Sequence, residues 1–149
     1  MTRVLFVCYG NICRSPMAEF LLKDMVKKKG IDDEFYIESA GISDEEFGHS
    51  VHYRVKKILD DLGIDSSDKT ARQINEKDYQ KFDYIIGMEK SNVLNIKEVM
   101  NDYDNKVYRL LDFSNNPRNI SDPWYTGLFE ETYKDIKEGL EYFLKYLGY

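Results

Sequence analysis

The sequence predicts an α/β fold, a three-layer sandwich in which helices cover both faces of a four-stranded parallel sheet. Four short apolar runs of strand character alternate along the chain with longer segments of helical periodicity. The connections between these segments are short. Strands that alternate with helices in this way form parallel sheets that are covered on both sides.

The strand predictions rest on β-branched and aromatic residues, and they fall at Arg3–Val7, Phe35–Ser39, Tyr84–Gly87 and Val107–Leu110. The first helix is predicted over Met17–Lys29, since apolar residues recur at helical spacing and three lysines precede Gly30. Two more helices are predicted over Val51–Leu62 and Ser91–Met100. The last helix is strongly amphipathic, with one apolar face formed by Phe129, Tyr133, Ile136, Leu140, Phe143, Leu144 and Leu147.

Length and composition predict a single domain over residues 1–149, and such a chain can bury roughly two thirds of its unfolded surface. The net charge of −6 argues against nucleic acid as the main partner, because phosphate backbones attract basic surfaces. The chain has no apolar run long enough to span a bilayer, and Val4–Val7 is too short for a signal peptide. Two cysteines are too few for a disulfide framework, so we expect a cytoplasmic protein with no membrane partner.

The segment Cys8–Ser15 follows directly on the first predicted strand and precedes the first predicted helix. Gly10 and Asn11 tolerate the left-handed backbone that turns successive N–H groups inward. A loop of this kind at a helix N-terminus forms a nest of donors for an anion, and phosphate suits its size and charge.

Three side chains allow this nest to do more than bind an anion. Cys8 lies at a helix N-terminus near an arginine and a hydroxyl, a setting that favours the nucleophilic thiolate. Arg14 can hold two phosphate oxygens in a bidentate manner that lysine cannot copy. Ser15 can donate to the Cys8 sulfur and help to expel it when an intermediate breaks down.

Displacement of phosphate from an ester also requires a proton for the leaving oxygen. The candidate donor is Asp122, in the loop-like stretch that continues with Pro123, Trp124 and Tyr125 just before the last helix. The proline fixes the backbone, and an aspartic acid beside aromatic rings can retain the proton that a general acid needs.

These two segments resemble the low-molecular-weight protein tyrosine phosphatase family. The pattern C-x5-R-S over Cys8–Ser15, with Asp-Pro and two aromatics at Asp122–Tyr125, is highly specific for that family. The likeness also covers Glu38–Gly41, Ala71–Gln73, Phe82–Ile85 and Ser91-Asn92. It implies a four-stranded parallel sheet with flanking helices, and a phosphatase that acts on phosphotyrosine-containing proteins and releases inorganic phosphate.

The resemblance also implies roles for individual residues. Cys8 carries a cysteinyl-phosphate intermediate, Arg14 binds phosphate, and Asp122 serves first as acid and then as base. The phosphate-binding loop comprises Tyr9, Gly10, Asn11, Ile12, Cys13, Arg14 and Ser15, and Ser39 holds Asn11 in its strained conformation. A slot for a flat phenyl ring is lined by Ile12, Trp124 and Tyr125. Neither a metal nor another cofactor is implied.

Four positions depart from the family's usual pattern. Glu45 stands where an aromatic residue usually borders the substrate, and Lys69 stands where a histidine often supports the phosphate loop. Tyr9 replaces a common leucine, and Glu89 replaces an aspartate. We expect the acidic segment Asp44–Glu46 to disfavour acidic phosphopeptides.

Alternative interpretations remain at this point. Arsenate reductases share the loop but need further cysteines, and protein arginine phosphatases carry a small polar residue in the place of Ile12. A thiol redox sensor is the non-enzyme alternative, which Asp122 argues against. Cys13 is interpreted either as a partner for a reversible disulfide with Cys8 or as an apolar filler beneath the loop. His49 and His52 lack a third metal ligand, so no metal site is predicted.

Overall fold

A computed structural model describes residues 1–149. The strands are β1 (Thr2–Cys8), β2 (Phe35–Gly41), β3 (Tyr84–Gly87) and β4 (Val107–Arg109). The helices are α1 (Arg14–Lys28), α2 (Tyr53–Asp61), α3 (Glu76–Lys81), α4 (Lys90–Met100), α5 (Pro123–Thr126) and α6 (Phe129–Tyr146), with short 3-10 turns at Asp32–Glu34 and Leu110–Phe113.

The four strands form one parallel sheet in the order β2-β1-β3-β4, so β1 lies in the interior with a partner on each side. The side chains of Val4–Val7 are completely buried, as expected for a strand covered on both faces. The α/β prediction with a four-stranded parallel sheet is confirmed. All four parallel strands end at one edge of the sheet, which is where β1 delivers Cys8.

Alternate residues of β1 face two separate apolar cores. Val4, Phe6 and Cys8 belong to the larger core, which also contains residues of α1 and α6. Leu5 and Val7 belong to the smaller core, on the side of α3 and α4. A fully buried side chain of this size contributes about 1.5–3 kcal/mol, so the sheet is fixed tightly beneath the loop that follows it.

Several predicted boundaries differ from those in the structure. Helix α1 begins at Arg14 rather than Met17, because Pro16 lies within the first turn, where a missing N–H costs nothing. Strand β4 ends at Arg109, since Leu110 already starts a 3-10 turn. The stretch predicted as a loop after Asp122 contains the four-residue helix α5.

Helix α3 was not predicted, because its six residues are too few to show an apolar period. Its start is defined by a capping box in which Asn75 accepts from the backbone and Asp78 accepts from Asn75 N–H. Arg72 pairs with this same Asp78 at 3.0 Å. None of the helices has the length and apolar character needed to cross a membrane.

Candidate active site

The connection between β1 and α1 forms a compact loop over residues 9–13. Asn11 adopts the left-handed backbone conformation at φ 59°, which asparagine tolerates better than most residues. Cys13 occupies the N-cap of α1 but makes no side-chain capping bond, so the first-turn N–H groups gain no partner from it. The positive end of the helix dipole and these donors therefore face the loop, as an anion site requires.

Cys8 lies at the base of this loop and is almost fully buried. Its Sγ lies 3.0 Å from the Ser15 hydroxyl oxygen, close enough for a hydrogen bond. Ser15 is itself buried in the first turn of α1, so its position relative to the sulfur is fixed by the helix. The hydroxyl predicted to assist the sulfur is in contact with it.

A network of buried polar groups holds the strained Asn11. The Asn11 side-chain amide donates to Ser39 Oγ at 3.0 Å and to Ser15 Oγ at 2.8 Å. Its carbonyl oxygen accepts from Arg72 N–H at 3.1 Å. Three hydrogen bonds to rigid elements offset the cost of the left-handed conformation, which is about 1–3 kcal/mol.

The network continues to two charged residues on the far side of Ser39. The Ser39 hydroxyl donates to Glu19 Oε1 at 2.6 Å. Lys69 Nζ lies 3.6 Å from the same Glu19 oxygen and donates to the Ser39 carbonyl at 2.8 Å. Burial lowers the pKa of Lys69, and the Glu19 charge opposes that effect. Lys69 thus belongs to the network that holds Asn11 in the loop.

The Arg14 guanidinium is 2% exposed and makes three contacts with the opposite side of the site. Its Nη1 donates to the Ile120 carbonyl at 2.9 Å and to Glu89 Oε2 at 3.1 Å. Its Nη2 lies 3.4 Å from Asp122 Oδ2. These contacts join the first turn of α1 to Glu89 and to the segment that carries Asp122.

Asp122 is the N-cap of α5, and its carboxylate accepts from Trp124 N–H at 3.0 Å. Pro123 occupies the first helical position, where its fixed φ favours helix initiation. The preceding residues are tied to the rest of the fold, since Ile120 N–H donates to the Met88 carbonyl at 2.9 Å. Thr132 of α6 donates its hydroxyl proton to the Ser121 carbonyl at 3.1 Å.

One cavity brings together nearly all the predicted site residues. Its lining comprises Cys8, Tyr9, Gly10, Ile12, Cys13, Arg14, Glu45, Glu46, Asp122, Trp124 and Tyr125. Asn11, Ser15 and Ser39 lie outside the lining and support the loop from behind. The cavity thus presents a thiol, an anion nest, an arginine and a carboxyl group, which together allow displacement at a phosphate ester.

Comparison with known proteins assigns the family. Residues 3–148 match the model of the low molecular weight phosphotyrosine protein phosphatases. The chain belongs to this family. YfkJ of Bacillus subtilis, a relative named a low molecular weight protein-tyrosine-phosphatase, is 40% identical over 147 residues, which cover 97% of this chain and 94% of YfkJ.

Solved structures agree with this family assignment. The crystal structure of YfkJ has a TM-score of 0.95 at 39% identity and covers 99% of this chain and 94% of that chain. SP-PTP, a low molecular weight protein tyrosine phosphatase from Streptococcus pyogenes, has a TM-score of 0.89 at 41% identity, with 100% and 95% covered. DARP, the Drosophila arginine phosphatase, has a TM-score of 0.89 at 32% identity, with 100% and 99% covered.

Cys13, the second cysteine of the phosphatase, lacks the low pKa that a nucleophilic thiol needs. Cys13 is 4% exposed, and both it and Cys8 are free thiols. Burial, followed by the neighbouring Cys8, raises the pKa of Cys13 to about 12. Cys13 therefore remains protonated near neutral pH, and both interpretations of it, as a disulfide partner of Cys8 and as an apolar filler beneath the loop, stay predictions.

The contacts that three residues make around the phosphatase site were not predicted from the sequence. Glu19 was missed because its position within the α1 sequence resembles that of any helical carboxylate. The contact of Glu89 with Arg14 spans 75 residues of sequence. His52 caps α2, lies edge-on to Trp124 at a ring distance of 5.8 Å, and its backbone N–H donates to the Ile12 carbonyl at 2.9 Å. A histidine at a predicted helix start was the one available signal.

Proposed function

We propose that this phosphatase hydrolyses phosphotyrosine in proteins through a phosphate ester of Cys8. The observation that carries the proposal is that Cys8, Arg14 and Asp122 line one cavity. These residues come from the two ends of the sequence and supply the nucleophile, the anion-binding group and the proton donor. Binding of phosphate alone would not require the third of them.

In the first step the phosphate group lies in the loop, held by backbone N–H groups and by Arg14. The Cys8 thiolate attacks phosphorus, the sulfur–phosphorus bond forms, and the bond from phosphorus to the phenolic oxygen breaks. Asp122 transfers its proton to that oxygen, so tyrosine leaves as a neutral phenol. Its place at the N-cap of α5 directs the carboxyl group into the cavity.

In the second step water attacks phosphorus, and the Asp122 carboxylate accepts a proton from that water. The sulfur–phosphorus bond breaks and inorganic phosphate leaves. The Ser15 hydroxyl, 3.0 Å from Cys8 Sγ, donates to the departing thiolate and lowers the barrier to its release. Cys8 thereby returns to the thiolate form for the next cycle.

The walls of the cavity favour an aryl ester. Ile12, Trp124 and Tyr125 all line it, which supports the proposal that a flat phenyl ring lies between apolar surfaces. Tyr125 is 82% exposed and can adjust to the ring. Arginine phosphatases and arsenate reductases of this fold are not favoured, because this chain has Ile12 at the loop and has no cysteine beyond Cys8 and Cys13.

We further propose that residues 1–149 act as one domain in a reducing compartment, the cytoplasm. Both cores pack against the same sheet, which supports a single folding unit. The reaction requires Cys8 as a free thiol, and reducing conditions maintain that state. The partners are then phosphotyrosine-containing proteins, and the product is inorganic phosphate.

The mechanism is tested by the hydrolysis of phosphotyrosine peptides and of aryl phosphates with good and poor leaving groups. Cys8→Ser should abolish turnover of all of them. Asp122→Ala should lower kcat by roughly a hundredfold or more for poor leaving groups and much less for good ones. Asp33→Ala, at an exposed aspartate in a distant 3-10 turn, is the matched control and should retain wild-type rates. Full activity of Cys8→Ser would overturn the mechanism.

A further inference from the structure

The mouth of the cavity has two walls of different chemistry. One wall is formed by Glu45 and Glu46, from the segment between β2 and α2. The other wall is formed by Trp124 and Tyr125 of α5. Glu45, Trp124 and Tyr125 are exposed as well as lining the cavity, so they lie at its open edge, where the residues next to a bound phosphotyrosine come close to them.

The charge at the mouth is negative. Arg14 is the one basic residue of the lining, and it is buried and already in contact with Glu89, Asp122 and the Ile120 carbonyl. Glu45 is exposed and forms no salt bridge, and its backbone N–H is bound to the Ser43 hydroxyl.

The Glu46 side chain packs beside Gly10 of the anion nest. A Cβ built on Gly10 would lie 3.4 Å from Glu46 Cγ. The Glu46 side chain also contacts His49, whose Nδ1 is 2.6 Å from Oε2. Glu45, the other carboxylate at the rim, has no basic side chain in contact with it. A carboxylate held near the nest repels further negative charge on the substrate.

The aromatic wall also favours positively charged residues beside the phosphotyrosine. Trp124 is 58% exposed and Tyr125 is 82% exposed, so both rings are accessible to a passing side chain. Lysine and arginine side chains bind aromatic faces through cation–π contacts, whereas carboxylates do not. Acidic and aromatic walls therefore select the same kind of neighbour.

We propose that the enzyme prefers phosphotyrosines flanked by lysine or arginine over phosphotyrosines in acidic sequences. This inference rests on the proposed function and names the class of substrate for that same site. Because the rim carboxylates contact the flanking residues and not the reacting atoms, the preference lies in KM, with kcat nearly unchanged. Exposed charges are screened by salt, so the preference decreases as ionic strength rises.

The test compares three phosphotyrosine peptides that differ only in the two residues on each side, which are lysine, alanine or glutamate. At low salt we expect kcat/KM to decrease in the order lysine, alanine, glutamate, with about a tenfold span from a few exposed charge pairs. The double variant Glu45→Gln/Glu46→Gln should reduce that span to about twofold. Glu141→Gln, an exposed carboxylate of α6, is the matched control and should retain the full span.

The outcomes separate this inference from the proposed function. Equal kcat/KM for the lysine and glutamate peptides, with good turnover of both, overturns the inference alone. A wild-type span that persists in the double variant overturns its assignment to Glu45 and Glu46. No turnover of any of the three peptides overturns the proposed function.

Discussion

The Ser39 hydroxyl donates to the Glu19 carboxylate across 2.6 Å, and this bond sets the direction of the hydrogen bonds behind the catalytic loop. Since Ser39 gives its proton to Glu19, it can only accept from Asn11, whose amide also donates to Ser15. Ser15 then accepts from Asn11, and its own proton is available to Cys8 Sγ at 3.0 Å and to the Ala40 carbonyl at 3.4 Å. A buried charge thus anchors the hydrogen bonds that reach the sulfur.

The first prediction concerns Lys69, which lies 3.6 Å from Glu19 and is largely buried. Lys69→Met should destabilise the fold by about 2–3 kcal/mol, because the Glu19 charge loses a partner in a poorly solvated place. The orientation of Ser39 should become less fixed, and kcat should fall several-fold. Urea unfolding and steady-state hydrolysis of an aryl phosphate measure the two effects.

Lys23 offers the control for this prediction. It contacts the other oxygen of Glu19 at 2.6 Å, but its side chain is 43% exposed, against 12% for Lys69. Lys23→Met should cost less, about 1 kcal/mol, and leave kcat unchanged, because Lys23 is well solvated and Lys69 remains as the buried partner of Glu19. Equal effects of the two substitutions would contradict a specific role for Lys69.

The second prediction concerns Gly41, at the end of β2. A Cβ at this position would lie 2.9 Å from the Tyr9 carbonyl oxygen and 3.2 Å from Asn11 Cβ. Gly41→Ala must therefore displace the backbone of the phosphate loop, which cannot move without losing its hydrogen bonds. We expect a loss of about 1–3 kcal/mol in stability and at least a tenfold decrease in kcat.

Gly139→Ala separates the effect on the loop from a general loss of stability. Its Cβ would lie 2.6 Å from Leu110 Cγ, in the contact between α6 and the turn after β4. The variant should be destabilised to a similar extent, while the folded fraction keeps its kcat. Thermal unfolding with kinetics below the transition measures both. A wild-type kcat in Gly41→Ala would show that the loop tolerates the methyl group.

The loop between β1 and α1 could be predicted from sequence because its residues are contiguous. Cys8, Arg14 and Ser15 are placed by one strand end and one helix start, and both elements show clear local patterns. Asp122 was found through its neighbouring proline and aromatics. Glu19 and Glu89 could not be found in this way, since each acquires its role only through contacts set by the packing of distant segments.

The backbone conformation around Asp122 also could not be fully predicted from neighbouring residues in the sequence. The Asp-Pro pair predicted a loop, and the structure has an N-cap followed by one helical turn. Both readings are compatible with Pro123, because proline favours turns and first helical positions alike. The chain just before α5 is held against α6, where the Thr132 hydroxyl donates to the Ser121 carbonyl.

The third prediction concerns the two thiols. Both are nearly buried, so accessibility does not distinguish them, but the pKa of Cys13 is raised to about 12 by burial. Iodoacetamide at pH 8 should therefore modify one thiol for each chain, Cys8, and inorganic phosphate should slow the reaction. Mass spectrometry identifies the site. Cys8→Ser should take up no label within the same time, and labelling of Cys13 in that variant would contradict its protonated state.

The fourth prediction uses His52 and the single tryptophan as a probe of the acid-bearing segment. Burial, and then the charge of Arg54, lower the pKa of His52 below its ordinary value of 6.5. As the pH falls, His52 therefore binds its proton in the unfolded chain before it does so in the folded protein. The stability contributed by neutral His52 is present above pH 6.5 and is lost as pH falls through the folded-state pKa. Protonation also removes Nδ1 as the acceptor for Arg54 N–H, which lies 3.2 Å away.

Two measurements report the protonation of His52 as the pH falls. Trp124 fluorescence should decrease below pH 6.5, because an imidazolium 5.8 Å away quenches an indole ring. The free energy of unfolding should decrease by about 1 kcal/mol over the same range through loss of the N-cap. His52→Asn retains a capping side chain that does not titrate, so it should abolish the fluorescence change and most of the stability change. If the variant keeps the wild-type fluorescence profile, a group other than His52 controls the surroundings of Trp124.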